Sequence, residues 1–525
     1  MGKYLCWSGR ALRCCLVLVI LTLFMSAVPC ALAESMYHNP VLAGDYPDPS
    51  IIHVGREYYM VNTSEMYTPG LLIWHSRDLV HWAPVTYALK RYDGIVAAPD
   101  LTYYKHRFYI YYTPGRSTHV ITAQKIQGPW SNPVRLTRRG KPFAAFDPFF
   151  MAGPHGTPYL IGAGDFIVRL SPDGLSVVGK RKYIYKGWPI PQNWIVECPC
   201  LEGPKVFRHD GYYYLVSAEG GTSGPPTSHM AILARSKNLL GPWENSPYIP
   251  LVHTYSRRDT WWSTGHGTVL QAPDKRWYII FHGYRKNYLT MGRSVLMEPV
   301  RWTKNGWLKL PPRTKPGDPL PYPGGAAVSE SMRLSDNFSG SRLGMQWQFY
   351  GPVPAGKYQQ SHHRLILHAT GSDMAESSPM LCMAVGKSYS ITAHVRAESG
   401  ANAGLVLFYN PSEFISVGIG HGHLWYGIAG HIHNVATFAG NHAIVKIINS
   451  YNSVECFVGH PGHRLHRLLP ALYAGGYTHQ TFGGYLSLRP GLYCLGKGAA
   501  IFRNFNYRLA PPHRAAVIRG RNLNR

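Results

Sequence analysis

Five short aromatic segments recur at long and nearly even intervals between residues 57 and 279 of this 525-residue chain. Each contains a tyrosine that serves as a reference point: Tyr59, Tyr109, Tyr159, Tyr214 and Tyr278. The first two intervals between these tyrosines are equal, and the later two are somewhat longer. A repeat of about 50 residues that contains several short β-rich runs is typical of a β-propeller. The sequence therefore predicts five blades around a central channel.

Three carboxylates and a histidine occupy nearly the same place relative to these tyrosines. Asp48 stands before the first, and Asp147, Glu202 and His266 stand before the third, fourth and fifth, at intervals that agree to within one position. If the repeats are blades, these positions converge at one mouth of the channel. Converging carboxylates suit glycoside hydrolysis, which uses a pair of Asp or Glu residues. Three nearby acids lie outside this register and are not expected in the chemistry: Asp45, Asp100 and Glu197.

Residues 1–33 have the pattern of a secretory signal peptide. A basic stretch precedes an apolar run from Leu16 to Met25, and Ala31-Leu32-Ala33 offers small residues for cleavage. No later apolar run reaches the length of a transmembrane helix. We therefore expect a secreted protein, extracellular or periplasmic, with no membrane partner after cleavage.

The cysteines that remain after cleavage are few and odd in number. They are Cys198, Cys200, Cys382, Cys456 and Cys494. Such a set does not predict a disulfide framework, so the fold must depend on its apolar cores. Only one residue separates Cys198 from Cys200, and this spacing is expected to suit neither a mutual disulfide nor a CxxC metal site.

The chain is strongly basic, with a formal net charge of +26, or +23 without the three basic residues of the signal. Such a charge serves solubility, or it attracts an anionic polymer such as uronate-bearing cell wall. The first explanation is preferred because charge alone is not a site. Nucleic acid is not expected as a partner, since the basic residues are scattered and the chain is exported.

A stretch rich in Pro and Gly, residues 311–325, predicts a boundary between two large domains. We expect an all-β fold, with a five-bladed β-propeller over residues 34–325 and a β-sandwich over residues 326–510. The second region alternates aromatic and β-branched residues in short runs, as a sandwich does. Residues 511–525 form a basic tail.

Several motifs, in this order, resemble glycoside hydrolase family 43. They are Tyr46-Pro47-Asp48-Pro49-Ser50, His75-Ser76-Arg77-Asp78-Leu79, Phe146-Asp147-Pro148, Glu202-Gly203-Pro204, Gly265-His266-Gly267, and Gly292-Arg293 through Glu298-Pro299-Val300. The similarity runs from about Tyr37 to Leu310, and the second domain resembles the concanavalin-like, jelly-roll sandwich of xylosidase-type members. The resemblance implies an inverting, exo-acting hydrolase of plant cell-wall poly- or oligosaccharides, of β-xylosidase or α-L-arabinofuranosidase type.

The resemblance also implies roles for individual residues. Asp48 would be the general base, Glu202 the general acid, and Asp147 the group that orients the acid and tunes its pKa. Arg293 would contact the sugar ring. These roles agree with the need for one ionised and one protonated carboxyl group.

Two histidines are assigned by the same resemblance. His229 would belong to the substrate pocket. His266 would lie in the pore, where some family members hold a structural calcium ion. No cofactor is expected to be required.

The chain departs from the family at Ala97, which occupies the same register position before the second reference tyrosine. Family members commonly carry Trp or Phe there, as a wall of the sugar pocket. The segment from Ser64 to Gly70 likewise lacks the phenylalanines usual in xylosidases. Both changes leave hydrolysis intact and put specificity for xylose in question.

Other functions remain open at this stage. Glu197-Cys198-Pro199 imitates a motif of the β-fructosidases, although Glu197 lies out of register. Arabinanase or galactanase activity, or carbohydrate binding without catalysis, is also compatible with a propeller. The sequence leaves homo-oligomer formation open.

Overall fold

Five antiparallel sheets follow one another in the first part of the computed structural model, which describes Gly2, residues 35–329 and residues 331–509. The strands of this part are β1 (Met36–Tyr37), β2 (Ser50–Val54), β3 (Glu57–Val61), β4 (Tyr67–Thr68), β5 (Gly70–Ser76), β6 (Ala83–Leu89), β7 (Asp100–Tyr104), β8 (Arg107–Tyr112), β9 (His119–Ala123), β10 (Val134–Arg135), β11 (Thr137–Arg138), β12 (Lys141–Pro142), β13 (Phe149–Ala152), β14 (Pro158–Gly162), β15 (Phe166–Arg169), β16 (Lys182–Tyr183), β17 (Cys198–His209), β18 (Tyr212–Gly220), β19 (Met230–Ser236), β20 (Glu244–Asn245), β21 (Val252–His253), β22 (Trp261–Gln271), β23 (Trp277–Arg285), β24 (Arg293–Trp302), β25 (Leu308–Lys309) and β26 (Leu320–Pro321). Two single-turn 3₁₀ helices span Pro154–Gly156 and Leu289–Met291.

These sheets are the five blades of a propeller, which confirms the predicted fold. Blade one contains β2, β3, β5 and β6, blade two β7 to β10, and blade three β13 to β16. Blade four contains β17 to β20, with β21 beside β19, and blade five contains β22 to β25. The first hairpin of blade four turns through Asp210 and Gly211, both with positive φ, which suits the primed turns of tight hairpins.

Neighbouring blades pack through apolar faces. Ile73 of blade one is buried in one cluster with Ile110 and Ile121 of blade two. Trp74 of blade one and Met297 of blade five share another cluster, which links the last blade to the first. Each such buried side chain contributes about 1.5–3 kcal/mol relative to an exposed one. The ring of blades therefore rests on interfaces between sheets.

The ring is also closed by backbone hydrogen bonds between its two ends. Val41 N–H donates to the carbonyl of Val295 at 3.0 Å, and Val295 N–H donates to the carbonyl of Leu42 at 3.0 Å. The chain that precedes blade one is thereby bonded to blade five.

Two large sheets form a β-sandwich in the second part of the chain, as predicted. Its strands are β27 (Gln348–Tyr350), β28 (Tyr358–Ser361), β29 (Arg364–His368), β30 (Met380–Leu381), β31 (Ser388–Ala397), β32 (Ala401–Asn410), β33 (Glu413–Gly420), β34 (His423–Ile428), β35 (His431–Thr437), β36 (His442–Ser450), β37 (Ser453–Gly459), β38 (His466–Arg467), β39 (Leu472–Tyr473), β40 (Arg489–Gly496) and β41 (Ala499–Leu509). The short helices α1 (Met374–Ser377) and α2 (His479–Phe482) connect some of them. One sheet has the order β35-β34-β33-β32-β40-β30-β27-β4, and the other β28-β29-β41-β31-β36-β37-β38, with β39 beside β37.

One strand of the propeller segment pairs with a sheet of the sandwich. In the sheet order above, β4 belongs to the propeller segment, and it pairs with β27 through Thr68 to Phe349 and Tyr67 to Tyr350. Tyr67 is also buried in the sandwich core. From Tyr37 onward the described residues form one compact unit. The predicted boundaries of both domains stay predictions, and residues 1–33 and 511–525 lie outside the described residues, Gly2 excepted.

The described helices are all short, and none of them is long and apolar enough to span a membrane.

Candidate active site

The predicted site residues come from the innermost strands of different blades, at points where the backbone is irregular. Asp48 precedes β2 with φ 57°, and Asp147 precedes β13 with φ 47°. His266 has φ 54° and lies at a bulge in β22, and Glu202 lies at a bulge in β17. Residues other than glycine rarely adopt such φ values, and those that do cluster at functional sites. The irregularities interrupt strand pairing at one end of the channel.

These positions open into one cavity of about 270 Å³. Six of the seven residues predicted for the site line it: Asp48, Ala97, Asp147, Glu202, His266 and Arg293. The seventh, His229, is fully buried behind Glu202, with its Nε2 atom 3.7 Å from Glu202 Oε1. The structure thus brings the predicted residues together, drawn from every blade of the ring.

Asp48 is held among cationic and polar groups. Thr63 donates a hydrogen bond to Asp48 Oδ2 at 2.6 Å, and Arg293 Nη1 lies 3.3 Å from Asp48 Oδ1. The Nδ1 atoms of His282 and His266 lie 3.0 and 3.3 Å from the same Oδ1. Burial opposes ionisation, but Arg293, His266 and His282 outweigh it and hold the pKa of Asp48 well below its usual value. Asp48 is therefore an ionised carboxylate at neutral pH.

Glu202 has the opposite electrostatic environment. Burial and the negative charges of Asp147 and Asp48 raise the pKa of Glu202 to about 8. Its side chain is still 32% exposed, so it faces the open cavity. Burial and the charge of Asp48 also raise the pKa of Asp147 to about 6, and Gly203 N–H donates to Asp147 Oδ2 at 3.0 Å. At neutral pH the site thus holds a protonated acid beside an ionised one, the arrangement that acid–base catalysis requires.

His229 is oriented by the backbone. Its Nδ1 lies 3.4 Å from the carbonyl oxygen of Ser263, which can only accept, so Nδ1 carries the proton. Nε2 then has a free lone pair directed toward Glu202, and among the described residues it has no hydrogen-bond partner. Burial and the neighbouring His282 and His266 lower the pKa of His229 well below its usual value, so the ring is neutral.

Arg293 is buried in the cavity wall and contacts two carboxyl groups. Besides Asp48, its Nη2 lies 3.4 Å from Glu65 Oε1. Its backbone N–H donates to Asp45 Oδ1 at 2.9 Å. Arg293 Nε is buried without a hydrogen-bond partner among the described residues.

The surroundings of His266 do not fit a calcium site. Calcium takes six to eight oxygen ligands, whereas His266 directs a ring nitrogen at Asp48 and lies near the cations Arg293 and Lys205. Burial, together with these cations, lowers the pKa of His266 to about 4 against the pull of Asp48. The described residues contain no group of three or more His, Cys, Asp or Glu side chains arranged to hold a metal ion. No chemical step below uses a metal.

The acids outside the register have structural partners. Asp100 is buried and bonded to Lys205 Nζ at 3.0 Å and to Ser50 at 2.9 Å. Glu197 lines the cavity, but its carboxylate accepts hydrogen bonds from the N–H groups of Ser223 and Gly224 and from the Ser223 hydroxyl. These bonds hold the loop that carries Ser223.

The cysteine prediction was wrong in one respect. Cys198 and Cys200 form a disulfide with each other, with their Cα atoms 5.1 Å apart, and both line the cavity. The pairing of β17 is irregular between Cys198 and Glu202, and the Cα separation is shorter than the spacing of about 6.6 Å in a regular strand. It lies in the normal range for a disulfide. Cys382, Cys456 and Cys494 are free and buried.

The sandwich contributes a residue that sequence reasoning missed. Tyr485 lines the cavity, its ring lies 5.3 Å from the Arg293 guanidinium, and its hydroxyl lies 3.2 Å from that of Ser223. No sequence signal connects Tyr485 to the blades, since it follows them by a whole domain. Glu65 and His282 were also missed. Glu65 alone could have been suspected, because it falls where the usual phenylalanines are absent.

Comparison with known proteins agrees with this picture. The family model "Glycosyl hydrolases family 43" matches residues 37–308. A non-reducing end alpha-L-arabinofuranosidase of Bacteroides ovatus is 29% identical over 361 residues, which cover 64% of this chain and 65% of that protein. A xylan 1,3-beta-xylosidase of a Vibrio species is 31% identical over 50% of this chain and 55% of its own length. The chain thus spans between half and two thirds of these curated relatives.

Solved structures match over a larger share of the chain. A family 43 protein from Bacillus licheniformis superimposes with a TM-score of 0.82 at 24% identity, covering 91% of this chain and 100% of that one. A xylan beta-1,4-xylosidase from Bacillus halodurans superimposes with a TM-score of 0.76 at 25% identity, covering 90% and 99%. The fold, propeller and sandwich together, is shared.

Proposed function

This chain belongs to glycosyl hydrolase family 43, and we propose that it is a secreted, exo-acting, inverting hydrolase that removes terminal xylose or arabinofuranose units from plant cell-wall saccharides. This proposal rests on two carboxyl groups in one cavity whose pKa values are shifted in opposite directions. Asp48 is kept ionised and Glu202 is kept protonated at neutral pH. Tyr485 of the sandwich lines the cavity together with the blade residues, which supports attack at chain ends. The basic and apolar pattern of residues 1–33 supports secretion.

In the proposed mechanism, Asp48 and Glu202 act from opposite sides of the scissile bond. Asp48 removes a proton from a water molecule that attacks the anomeric carbon. Glu202 donates its proton to the leaving oxygen as the glycosidic bond breaks. Asp147 keeps Glu202 protonated through its negative charge. Arg293 orients Asp48 through its Nη1 atom.

His229 is proposed to position the acid. Because Nδ1 is committed to the Ser263 carbonyl, the lone pair of Nε2 faces Glu202 Oε1 at 3.7 Å. This lone pair disfavours a negative charge on Glu202, and the single proton of the carboxyl group stays available for the leaving oxygen.

The first test is activity and stereochemistry together. We expect hydrolysis of nitrophenyl xyloside or arabinofuranoside, and none of sucrose, with NMR of the first-formed sugar showing inversion at the anomeric carbon. Net retention would mean that Asp48 acts as a nucleophile. Release of only long oligosaccharides from arabinan would count against exo action. Binding of arabinan or galactan without any hydrolysis would indicate a carbohydrate-binding protein.

On the alkaline side, the pH dependence of kcat/KM should follow the ionisation of Glu202. Activity requires Glu202 to be protonated, so kcat/KM is expected to fall as pH rises through about 8. It requires Asp48 to be ionised, and that condition holds down to pH values below its usual pKa of 3.8. Asp147→Asn keeps the acceptor for Gly203 but removes a negative charge beside Glu202, so the alkaline limb should move to lower pH. An unmoved limb would show that Asp147 does not tune the acid.

Ala97 is expected to widen the sugar pocket. It lines the cavity with a side chain too small for ring stacking. Ala97→Trp should improve kcat/KM for a plain xyloside, through ring contacts worth roughly 0.5–1.5 kcal/mol, and should penalise branched substrates by steric exclusion. Unchanged ratios of kcat/KM among xyloside, arabinofuranoside and a branched oligosaccharide, in a folded variant, would remove Ala97 from the specificity argument.

A further inference from the structure

Two carboxyl groups that line the cavity have no part in the proposed mechanism: Glu197, which is bonded to the loop of Ser223, and Glu65. Glu65 is 6% exposed and shares the cavity wall with Ala97 and Arg293. Burying a carboxyl group is costly unless hydrogen bonds compensate it. If this position served only to close the pocket, an apolar side chain would do so at lower cost.

Backbone hydrogen bonds fix Glu65 beside the segment that carries Ala97. Glu65 N–H donates to the Val96 carbonyl and Val96 N–H donates to the Glu65 carbonyl, both at 3.0 Å. Glu65 is held at φ 48°, a conformation that is unfavourable for a glutamate. Val96 directly precedes Ala97, and Glu65 and Ala97 both line the cavity.

The carboxyl group of Glu65 is only weakly satisfied by the protein. In the described part of the chain its one ion-pair partner is Arg293, at 3.4 Å, and Arg293 also contacts Asp48. A distance of 3.4 Å is long for a hydrogen bond. Burial raises the pKa of Glu65 to about 8, so at neutral pH the group is mainly a protonated carboxyl that can donate as well as accept a hydrogen bond. A hydroxyl group of the ligand would complete the hydrogen bonding of Glu65.

The candidate terminal sugars differ in whether they carry an exocyclic group that could reach Glu65. Xylopyranose carries no exocyclic carbon, whereas arabinofuranose and galactopyranose each carry a hydroxymethyl group. We propose that Glu65 is a specificity-determining residue that hydrogen bonds the exocyclic hydroxymethyl group of the terminal sugar, which the space beside Ala97 receives. This inference rests on the proposed glycosidase function and selects among its substrates.

The test uses pairs of nitrophenyl glycosides that differ in this one group. One pair is α-L-arabinofuranoside and its 5-deoxy analogue, which lacks the exocyclic hydroxyl. The other is β-D-galactopyranoside and α-L-arabinopyranoside, which has the same ring without the hydroxymethyl group. In whichever pair is hydrolysed, the native protein should prefer the hydroxymethyl sugar by about 5- to 100-fold in kcat/KM, the range expected when a buried polar group is left without its hydrogen-bond partner.

The variants separate recognition from structural support. Glu65→Ala should reduce the preference within the pair to less than about threefold, and Glu65→Gln, which keeps a hydrogen-bonding side chain, should retain part of it. If Glu65 only positions Arg293, both members of a pair lose activity equally and the ratio stays constant, which overturns the proposal. Should Glu65→Ala fail to fold, the native ratio and the Glu65→Gln ratio decide.

The outcomes also separate this inference from the function on which it rests. Hydrolysis that depends on Glu202 but favours xyloside, with no preference within either pair, overturns the role of Glu65 alone. If the native protein shows no hydrolysis that is lost in Glu202→Ala, the glycosidase function is overturned. The specificity role of Glu65 is then overturned with it.

Discussion

Asp48→Ala and Glu202→Ala are each expected to lower kcat at least ~10²-fold, in line with the contribution of general acid–base catalysis. The two variants should differ in how they respond to the leaving group. A dinitrophenyl substrate needs little protonation as it leaves, so it should partly rescue Glu202→Ala. It should not rescue Asp48→Ala, because activation of the water is lost whatever group departs.

A matched control lies in the same cavity. Glu197 is a glutamate in the cavity wall, close to Glu202 in sequence, but its carboxylate is bonded to Ser223 and Gly224. Glu197→Ala should therefore be much milder than Glu202→Ala in kcat, measured on the same substrates at the same pH. If Glu197→Ala proves the more damaging of the two, the assignment of the acid by its register in the repeats is wrong.

Asp48, Asp147, Glu202 and His266 could be located from sequence because blades repeat. Each residue sits at a nearly fixed distance before a reference tyrosine, and the fold converts that distance into a common place at the channel mouth. A repeating sequence pattern therefore predicts which distant residues meet in space when the fold itself repeats. The all-β fold, a five-bladed propeller followed by a β-sandwich, was predicted from the same repeats and from the change of pattern after residue 325, and the structure confirms that fold class.

The other features of the site depend on contacts between residues far apart in the sequence, which no local pattern predicts. Tyr485 reaches the cavity from the sandwich, and one sheet of the sandwich is joined to the propeller by the pairing of β4 with β27. Strand β4 has only two residues, Tyr67 and Thr68, so it is too short to show the alternation of apolar and polar residues that predicts a strand. The Cys198–Cys200 disulfide was missed because sequence spacing alone does not give a Cα separation. These features are fixed by tertiary packing.

The contact between the domains places a buried ion pair beneath the active site. Arg489, on β40 of the sandwich, is 3% exposed, and its Nη2 lies 4.0 Å from Oδ2 of Asp45 in the propeller. Its guanidinium also stacks 3.4 Å from the ring centroid of Tyr67, and its Nη1 donates to Gln348 Oε1 at 2.8 Å. Asp45 in turn accepts a hydrogen bond from the backbone of Arg293. Arg489 thus compensates a buried carboxylate that helps to hold Arg293.

Arg489→Met is expected to lower the free energy of unfolding by about 3–5 kcal/mol near neutral pH, because removing one partner leaves Asp45 buried without compensation. Denaturant unfolding measures the loss, with Arg508→Met as a matched control: Arg508 is exposed on β41, and its replacement should change stability by no more than about 0.5 kcal/mol. Adding Asp45→Asn to Arg489→Met should recover part of the loss, since the uncompensated charge is gone.

The same variant should also show a pH dependence of known sign. Burial raises the pKa of Asp45, and Arg489 and Arg293 oppose that rise, so the loss of Arg489 raises the pKa further. A carboxyl group whose pKa is higher in the folded state favours folding at low pH and loses that contribution as pH rises from about 4. The deficit of Arg489→Met should therefore be smaller near pH 5 than near pH 8. A deficit that is constant across this range would mean that packing against Tyr67, rather than the charge on Asp45, accounts for the role of Arg489.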